Sequence, residues 1–347
     1  MKFVVLKGQE GFADRLQCLL QVISYSKKTF RTIVIDWRDD HWCHSKKSDT
    51  ELGIGLKDVE TIELGQFLKI VGSKKMSIYP SSWEGKLNDQ QFTEYIREPK
   101  YNLPQDNSVL NEIVSGVRQD FKEQIVVYPG IGKRTFNYSD IKHVILDKFV
   151  LDAIEDLSKK YSLQRNLYDV VHLRGGTKSW AGGLIRSNHP DLKKHNQWIN
   201  YRQYISEIYE VYSKLLNGKQ DLPLFLLTDT PFLARVWVET YGKGIMIPNS
   251  AHGLMGETGI HKISKDQLKD AALNKVLDKT ILNTEALRDF SVMNNARILV
   301  GDGLSLFSLM AHGLKVNNQF ICEMPPIRKS IREDQKVQRR LVKKWHF

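Results

Sequence analysis

Cysteine is scarce in this chain, with Cys18, Cys43 and Cys322 the only three in 347 residues. They lie far apart and show neither zinc nor redox spacing, so no disulfide framework is expected and reduced thiols are the default. Long apolar runs are lacking as well. No uninterrupted stretch approaches the roughly 18 residues that a membrane-spanning helix needs. The chain opens on the strand-like Phe3-Val4-Val5-Leu6, without the basic head, apolar stretch and small-residue cleavage site of a secretory signal. The expected location is therefore the cytosol, where the Asn137-Tyr138-Ser139 sequon carries no glycan. Low-complexity tracts are also missing. With 41% hydrophobic and 10% aromatic residues, that excludes a disordered chain and implies substantial buried cores. His41, His44, His189, His195, His252 and His261 have no ligand spacing, so no metal site is expected.

Acidic residues are outnumbered, 40 against 51 Lys and Arg, which gives a net charge of +11. Such a balance points to nucleic acid, an anionic membrane or an acidic substrate, and its distribution discriminates among them. Residues 328–347 hold eight Lys and Arg against Glu333 and Asp334, so a charge of +6 (8 − 2) sits in the last twenty residues. The remaining body is only mildly basic, which argues against nucleic acid. In the tail, Ile327, Ile331, Val337, Leu341, Val342 and Trp345 share one helical face after Pro325 and Pro326, with most Lys and Arg opposite. A basic amphipathic helix over 325–347 either lies peripherally on an anionic membrane surface or packs its stripe as a closing helix.

A chain of this length has room for two domains. The first forty residues read as a βαβ unit: strand Phe3 to Leu6, a Gly8/Gly11 turn, helical spacing of Leu16, Leu19, Leu20 and Ile23, then strand Thr32 to Asp36. Residues 39–142 are less regular, with Gln124 to Tyr128 a further strand. A second alternating series starts with a helix over Phe149 to Tyr161 and the strand Leu167 to Val171. It continues with strand Leu224 to Leu227, a helix from Pro231, strand Ile245 to Ile247 and a helix over Glu285 to Ala296. Strand Arg297 to Val300, a short helix after Ser305 and strand Gln319 to Cys322 complete it. The expectation is an α/β fold of two domains, 1–150 and 151–324, followed by the tail helix.

The most informative stretch is His172-Leu173-Arg174-Gly175-Gly176, directly after a buried-strand run. A parallel strand ending in Arg and a Gly pair brings a permanently charged guanidinium to the carboxyl edge of the sheet, where open α/β folds bind ligands. An anion is the expected ligand. A nucleotide-sugar diphosphate is the best candidate, because the planar Arg fork bonds phosphate oxygens in pairs and can neutralise a departing diphosphate. A structural Arg–carboxylate pair is the competing explanation.

Four blocks in order resemble the fucosyltransferase superfamily, with its nodulation, core α1,6 and protein O-fucosyltransferase branches. They are Glu10 to Leu16 with Arg31 to Arg38; His172-Leu173-Arg174; Leu226-Leu227-Thr228-Asp229; and Gly259-Ile260-His261 through to Ser305. The resemblance implies a GT-B-like architecture, two facing Rossmann-like domains with a cleft between them. It further implies inverting, metal-independent transfer of fucose from GDP-fucose to an oligosaccharide or lipid-linked glycan acceptor, with the acceptor on the 1–150 side. By the same resemblance, Arg174 binds the β-phosphate, His172 lies against the donor, and Asp229 and His261 sit beside it. Asp289 binds guanine, whose N1–H and N2–H a carboxylate can accept together. Ser305 contacts phosphate at a helix start. Gly175 departs from the pattern, since better known members carry a second Arg or a His there. That leaves open compensation by Lys178, weaker diphosphate binding, or a different GDP- or CMP-activated donor. Glu10 is the candidate general base, with Asp14 and Asp36 as alternatives.

Bland explanations stand beside each of these. Gly8 and Gly11 can simply permit a tight turn, Asp14 and Arg15 can be a dipole-compatible acid and a solvated base in a first helical turn, and Asp36-Trp37-Arg38 can be a strand end with an ion pair. His172 can be a core histidine, and Thr228-Asp229 a helix cap. A non-catalytic glycan- or nucleotide-binding protein on the same scaffold is the reading from a different functional class.

Overall fold

The computed structural model describes residues 1–7, 11–37, 44–45, 59–60, 67–79, 82–83, 108–128, 136–174, 201–250, 269–270, 275–276, 279–303 and 305–324. Glu10, Lys178, His261 and the 325–347 tail lie outside the described residues, as do Gly8 and Arg38. The chain divides into two compact units: Met1–Phe149 with Ser264–Leu268, and Val150–Ile263 with Lys269–Phe347.

In the first unit, β1 (Phe3–Lys7) is apolar along most of its length and almost entirely buried, as expected of a strand covered on both faces. It leads into α1 (Phe12–Thr29), which buries Leu16, Leu19, Leu20 and Ile23, and then into β2 (Thr32–Asp36), parallel to β1 with Phe3 opposite Thr32 and Lys7 opposite Asp36. After β3 (Leu68–Val71) come β4 (Ile78–Tyr79), α2 (Ser108–Ser115), β5 (Ile125–Tyr128) and β6 (Val144–Leu146). The main sheet has the order β4-β2-β1-β5, all parallel, while β3 and β6 pair antiparallel in a smaller sheet. Arg31, fully buried before β2, ties the amino ends together: its Nε lies 3.1 Å from both Asp120 oxygens, and its terminal nitrogens donate to the Phe3, Phe121, Glu123 and Gln124 carbonyls.

The second unit opens with α3 (Lys148–Tyr161), most of which it contains, and β7 (Asp169–Leu173). There follow α4 (Tyr201–Leu216), β8 (Leu224–Thr228), α5 (Pro231–Tyr241), β9 (Ile245–Met246), α6 (Lys279–Asn295), β10 (Ile298–Gly301) and α7 (Leu306–Val316). Pro231 occupies the first turn of α5, and Gly242 ends it in the left-handed conformation at φ 64°, the usual placement of each. Val171, Leu173, Leu224, Leu226 and Val300 of the sheet pack with Tyr204, Ile208, Tyr212, Leu233 and Trp237 of α4 and α5 in one core.

The sheet order is β9-β8-β7-β10, again all parallel. Counted by appearance, the strands of each main sheet run 3-2-1-4, the order of half a doubly wound dinucleotide fold. In open sheets of this order, ligands bind beside the reversal, at the carboxyl ends of strands 1 and 4. In the second unit those ends are Leu173-Arg174 and Gly301-Asp302.

Three expectations differ from what is observed. Helix α4 was not anticipated, and α6 begins at Lys279 rather than Glu285. Gln319 to Cys322 is not a strand. Two buried amides at the end of α6 hold that segment instead. Asn294 donates to the Gln319 carbonyl (3.0 Å) and accepts from Ile321 N–H (3.0 Å); Asn295 donates to the Cys322 carbonyl (2.8 Å) and accepts from Met324 N–H (3.1 Å). Side chains thus satisfy backbone groups that a neighbouring strand would otherwise pair.

Candidate functional site

The buried strand β7 carries His172 as its penultimate residue and releases the chain at Arg174. The Arg174 N–H, past the last ladder pair of Leu173 with Thr228, donates to the Tyr204 hydroxyl at 3.0 Å. Arg174 itself is partly buried, and among the described residues no carboxylate forms an ion pair with its guanidinium. Among the described residues the structural Arg–carboxylate explanation has no counterpart there. It applies at the amino end of the same strand, where Asp169 is held by Arg297 at 2.9 and 2.6 Å and by the Tyr212 hydroxyl at 3.1 Å.

His172 is 8% exposed, and its Nδ1 lies 2.5 Å from Ser308 Oγ on α7. Its ring also packs against Phe307, centroids 6.0 Å apart. Burial, the largest influence, pushes its pKa down to about 4; Arg174 acts in the same direction and Asp229 opposes it. The imidazole is consequently neutral at pH 7 and serves as a hydrogen-bonding group rather than a charge. Close approach of α7 depends on Gly301, where a Cβ would meet Ser308 Oγ at 2.7 Å and Ser308 Cβ at 2.8 Å.

Asp229 follows β8. The Thr230 hydroxyl donates to its Oδ1 at 3.2 Å, while Thr228 Oγ1 accepts from Thr230 N–H at 2.9 Å. The cap of α5 is Thr230, not Thr228 or Asp229, and its side chain makes no capping bond. Asp229 also acts electrostatically on His172 and Tyr204. Tyr204, 3% exposed, feels Asp302 and Asp229 as well, and burial foremost, then these carboxylates, hold its phenol protonated.

Ser305 precedes α7 as its N-cap but makes no side-chain capping bond. Its Oγ is buried and, among the described residues, has no hydrogen-bond partner. A buried hydroxyl at the start of an 11-residue helix, beside first-turn N–H groups that have no acceptor within the helix, suits a bound anion.

His172, Arg174, Asp229 and Ser305 are therefore brought to the carboxyl edge of one sheet. Tyr204, Gly301, Phe307 and Ser308 join them, and sequence reasoning missed these four. A weak signal existed for Tyr204, since Tyr204, Ile205, Ile208 and Tyr212 recur at helical spacing; nothing local marks the other three.

Asp289 belongs to a second buried polar cluster, between α6 and the segment after β9. Arg288 donates to its Oδ1 at 2.9 and 2.7 Å and Asn249 to its Oδ2 at 3.2 Å. Arg288 also donates to the Pro248 carbonyl, and Glu285 accepts from Ser250 N–H at 2.7 Å and Ser250 Oγ at 3.0 Å. Burial, first among its influences, raises the Glu285 pKa.

In the first unit, Gly11 is the N-cap of α1 with ordinary extended backbone (φ −74°), so no special conformation demands glycine there. Asp14 lies in the first turn. Arg15 is not solvated: it is fully buried with its guanidinium 5.8 Å from the Trp37 ring. Asp36, 2% exposed, accepts from Lys7 Nζ at 2.5 Å, an ion pair between the ends of β1 and β2. Among the described residues, no group of three His, Cys, Asp or Glu could hold a metal, and no helix is long and apolar enough to cross a membrane.

No family model matches the sequence. No curated protein matches it either. Among solved structures, the chain is similar to fucosyltransferase NodZ from Bradyrhizobium, with TM-score 0.52 at 14% identity over 90% of this chain and 92% of that one. It is also similar to NodZ α-1,6-fucosyltransferase soaked with GDP-fucose (TM-score 0.51, 15% identity) and co-crystallised with GDP (TM-score 0.51, 13% identity), each over 90% of this chain and 92% of that one. Over about 90% of its length the chain is built on a fucosyltransferase-like fold.

Proposed function

We propose that the protein is an inverting, metal-independent glycosyltransferase that moves fucose from GDP-fucose to a glycan hydroxyl. The observation that carries this is the convergence, on one sheet edge, of Arg174 with no carboxylate pairing among the described residues and Ser305 with its unpartnered buried hydroxyl. In this reading the GT-B arrangement holds, with two facing domains and the donor between them. Arg174 neutralises charge developing on the departing diphosphate, Ser305 and the start of α7 donate to its oxygens, and Asp229 and neutral His172 line the sugar side with His261 nearby. Asp289, fixed by Arg288 and Asn249, reads guanine. The acceptor oxygen loses its proton to Glu10; Asp14 and Asp36 are the alternatives, although Asp36 is engaged by Lys7.

The reading is tested by measuring GDP release from GDP-fucose without acceptor. Arg174→Lys keeps the charge but loses the planar fork, and should lower release about tenfold or more, a cost of roughly 1.4 kcal/mol or above. Unaltered kinetics would remove Arg174 from the donor site. Gly175, where a second Arg or a His is expected, favours a second reading with another GDP- or CMP-sugar, compensated or not by Lys178; release only from such a donor would select it. No release from any donor would leave a binding protein.

We further propose that the protein is cytosolic and docks on the inner face of a membrane through 325–347, near a lipid-linked acceptor. Truncation after Pro326 should abolish sedimentation with anionic liposomes while leaving soluble, donor-hydrolysing protein. Aggregation on truncation would assign the stripe to the core.

A further inference from the structure

Arg174 can neutralise a diphosphate only if its Cα–Cβ bond is aimed, yet it stands one residue beyond the last ladder pair of β7. A backbone there has no sheet partner to fix it. The N–H of Arg174 finds one in the Tyr204 hydroxyl, 3.0 Å away, contributed by α4. Tyr204 is immobilised by its surroundings: it is 3% exposed and packs in the core with Val171, Leu173, Ile205 and Leu233. Its oxygen also lies in the field of Asp229, after β8, and Asp302, after β10. One phenol thus accepts from the end of the central strand while the carboxylates that follow its two neighbours act on it electrostatically.

We propose that Tyr204 is the positioning residue for Arg174, its hydroxyl standing in for the missing ladder acceptor and thereby fixing the direction from which the guanidinium meets a nucleoside diphosphate. This rests on the donor reading above. Its consequence is specific, because the hydroxyl acts through Arg174 on the phosphates and not on the nucleoside.

The test is calorimetric binding of GDP and of guanosine to the full-length protein and to Tyr204→Phe, Arg174→Ala and the double variant. Tyr204→Phe should weaken GDP binding about tenfold, leave guanosine binding within twofold, and have no further effect once Arg174 is Ala. A merely structural tyrosine would give the same loss for both ligands and in both backgrounds, overturning the proposal. So would a Tyr204→Phe protein that cannot fold, because the hydroxyl would then serve the core rather than Arg174. Failure of the donor reading looks different: GDP would bind the unaltered protein and Arg174→Ala equally, or bind neither. If Arg174→Ala weakens GDP while Tyr204→Phe does not, only the positioning role falls.

Discussion

His172 is buried beside a cation and an anion, and burial decides its charge. Its pKa of about 4 lies below the 6.5 of a histidine in the unfolded chain. The folded state therefore binds fewer protons than the unfolded one between those values. The histidine's stabilising balance is complete above pH 6.5 and is lost as pH falls toward 4, by an amount of order 2–3 kcal/mol. The urea midpoint should decline over that window, and His172→Gln should flatten the decline. An identical slope in the variant would show that other groups carry it. Little of this environment could be read from the residue alone. The neighbours that matter, Ser308 and Phe307, are remote in sequence, and Gly301 matters only because Ser308 approaches it. The position of Arg174 at a strand end was legible because an apolar run leads directly into it and two glycines follow; that Arg15 is buried was not, because sequence does not tell which face of a first helical turn is covered.

Strands β1, β2, β7 and β8 were legible as elements because both faces are buried, which writes nearly unbroken apolar runs into the chain. Helix α4 escaped because its buried stripe is half tyrosine, and polar tips conceal apolar bodies. The segment 319–322 has the apolar content of a strand but is held by side chains from α6. Asn294→Ala would leave the Ile321 N–H and the Gln319 carbonyl without their amide partner in the interior, and each such loss costs about 1–3 kcal/mol. Urea unfolding should therefore show at least 1 kcal/mol of destabilisation. A smaller change would mean that the segment is secured elsewhere.

At the scale of the whole molecule, each unit has its own parallel sheet and its own core: Val5, Val34 and Val127 belong to one cluster, Val171, Leu226 and Trp237 to another. The strand pairs close within each sheet, so each sheet is expected to open by its own route. A ligand held only by the second unit stabilises that unit against its own unfolding. At a hundredfold excess over its Kd the gain is about 2.7 kcal/mol, equivalent to roughly a hundredfold slowing of amide exchange that proceeds through that opening. With GDP, the slowest amides of β7 and β8 should therefore exchange about a hundredfold more slowly, while those of β1 and β2 change by less than threefold. Hydrogen-exchange mass spectrometry resolves these segments. Equal slowing in both sheets would mean that the units unfold as one, and slowing confined to β1 and β2 would move the nucleotide away from Arg174 altogether.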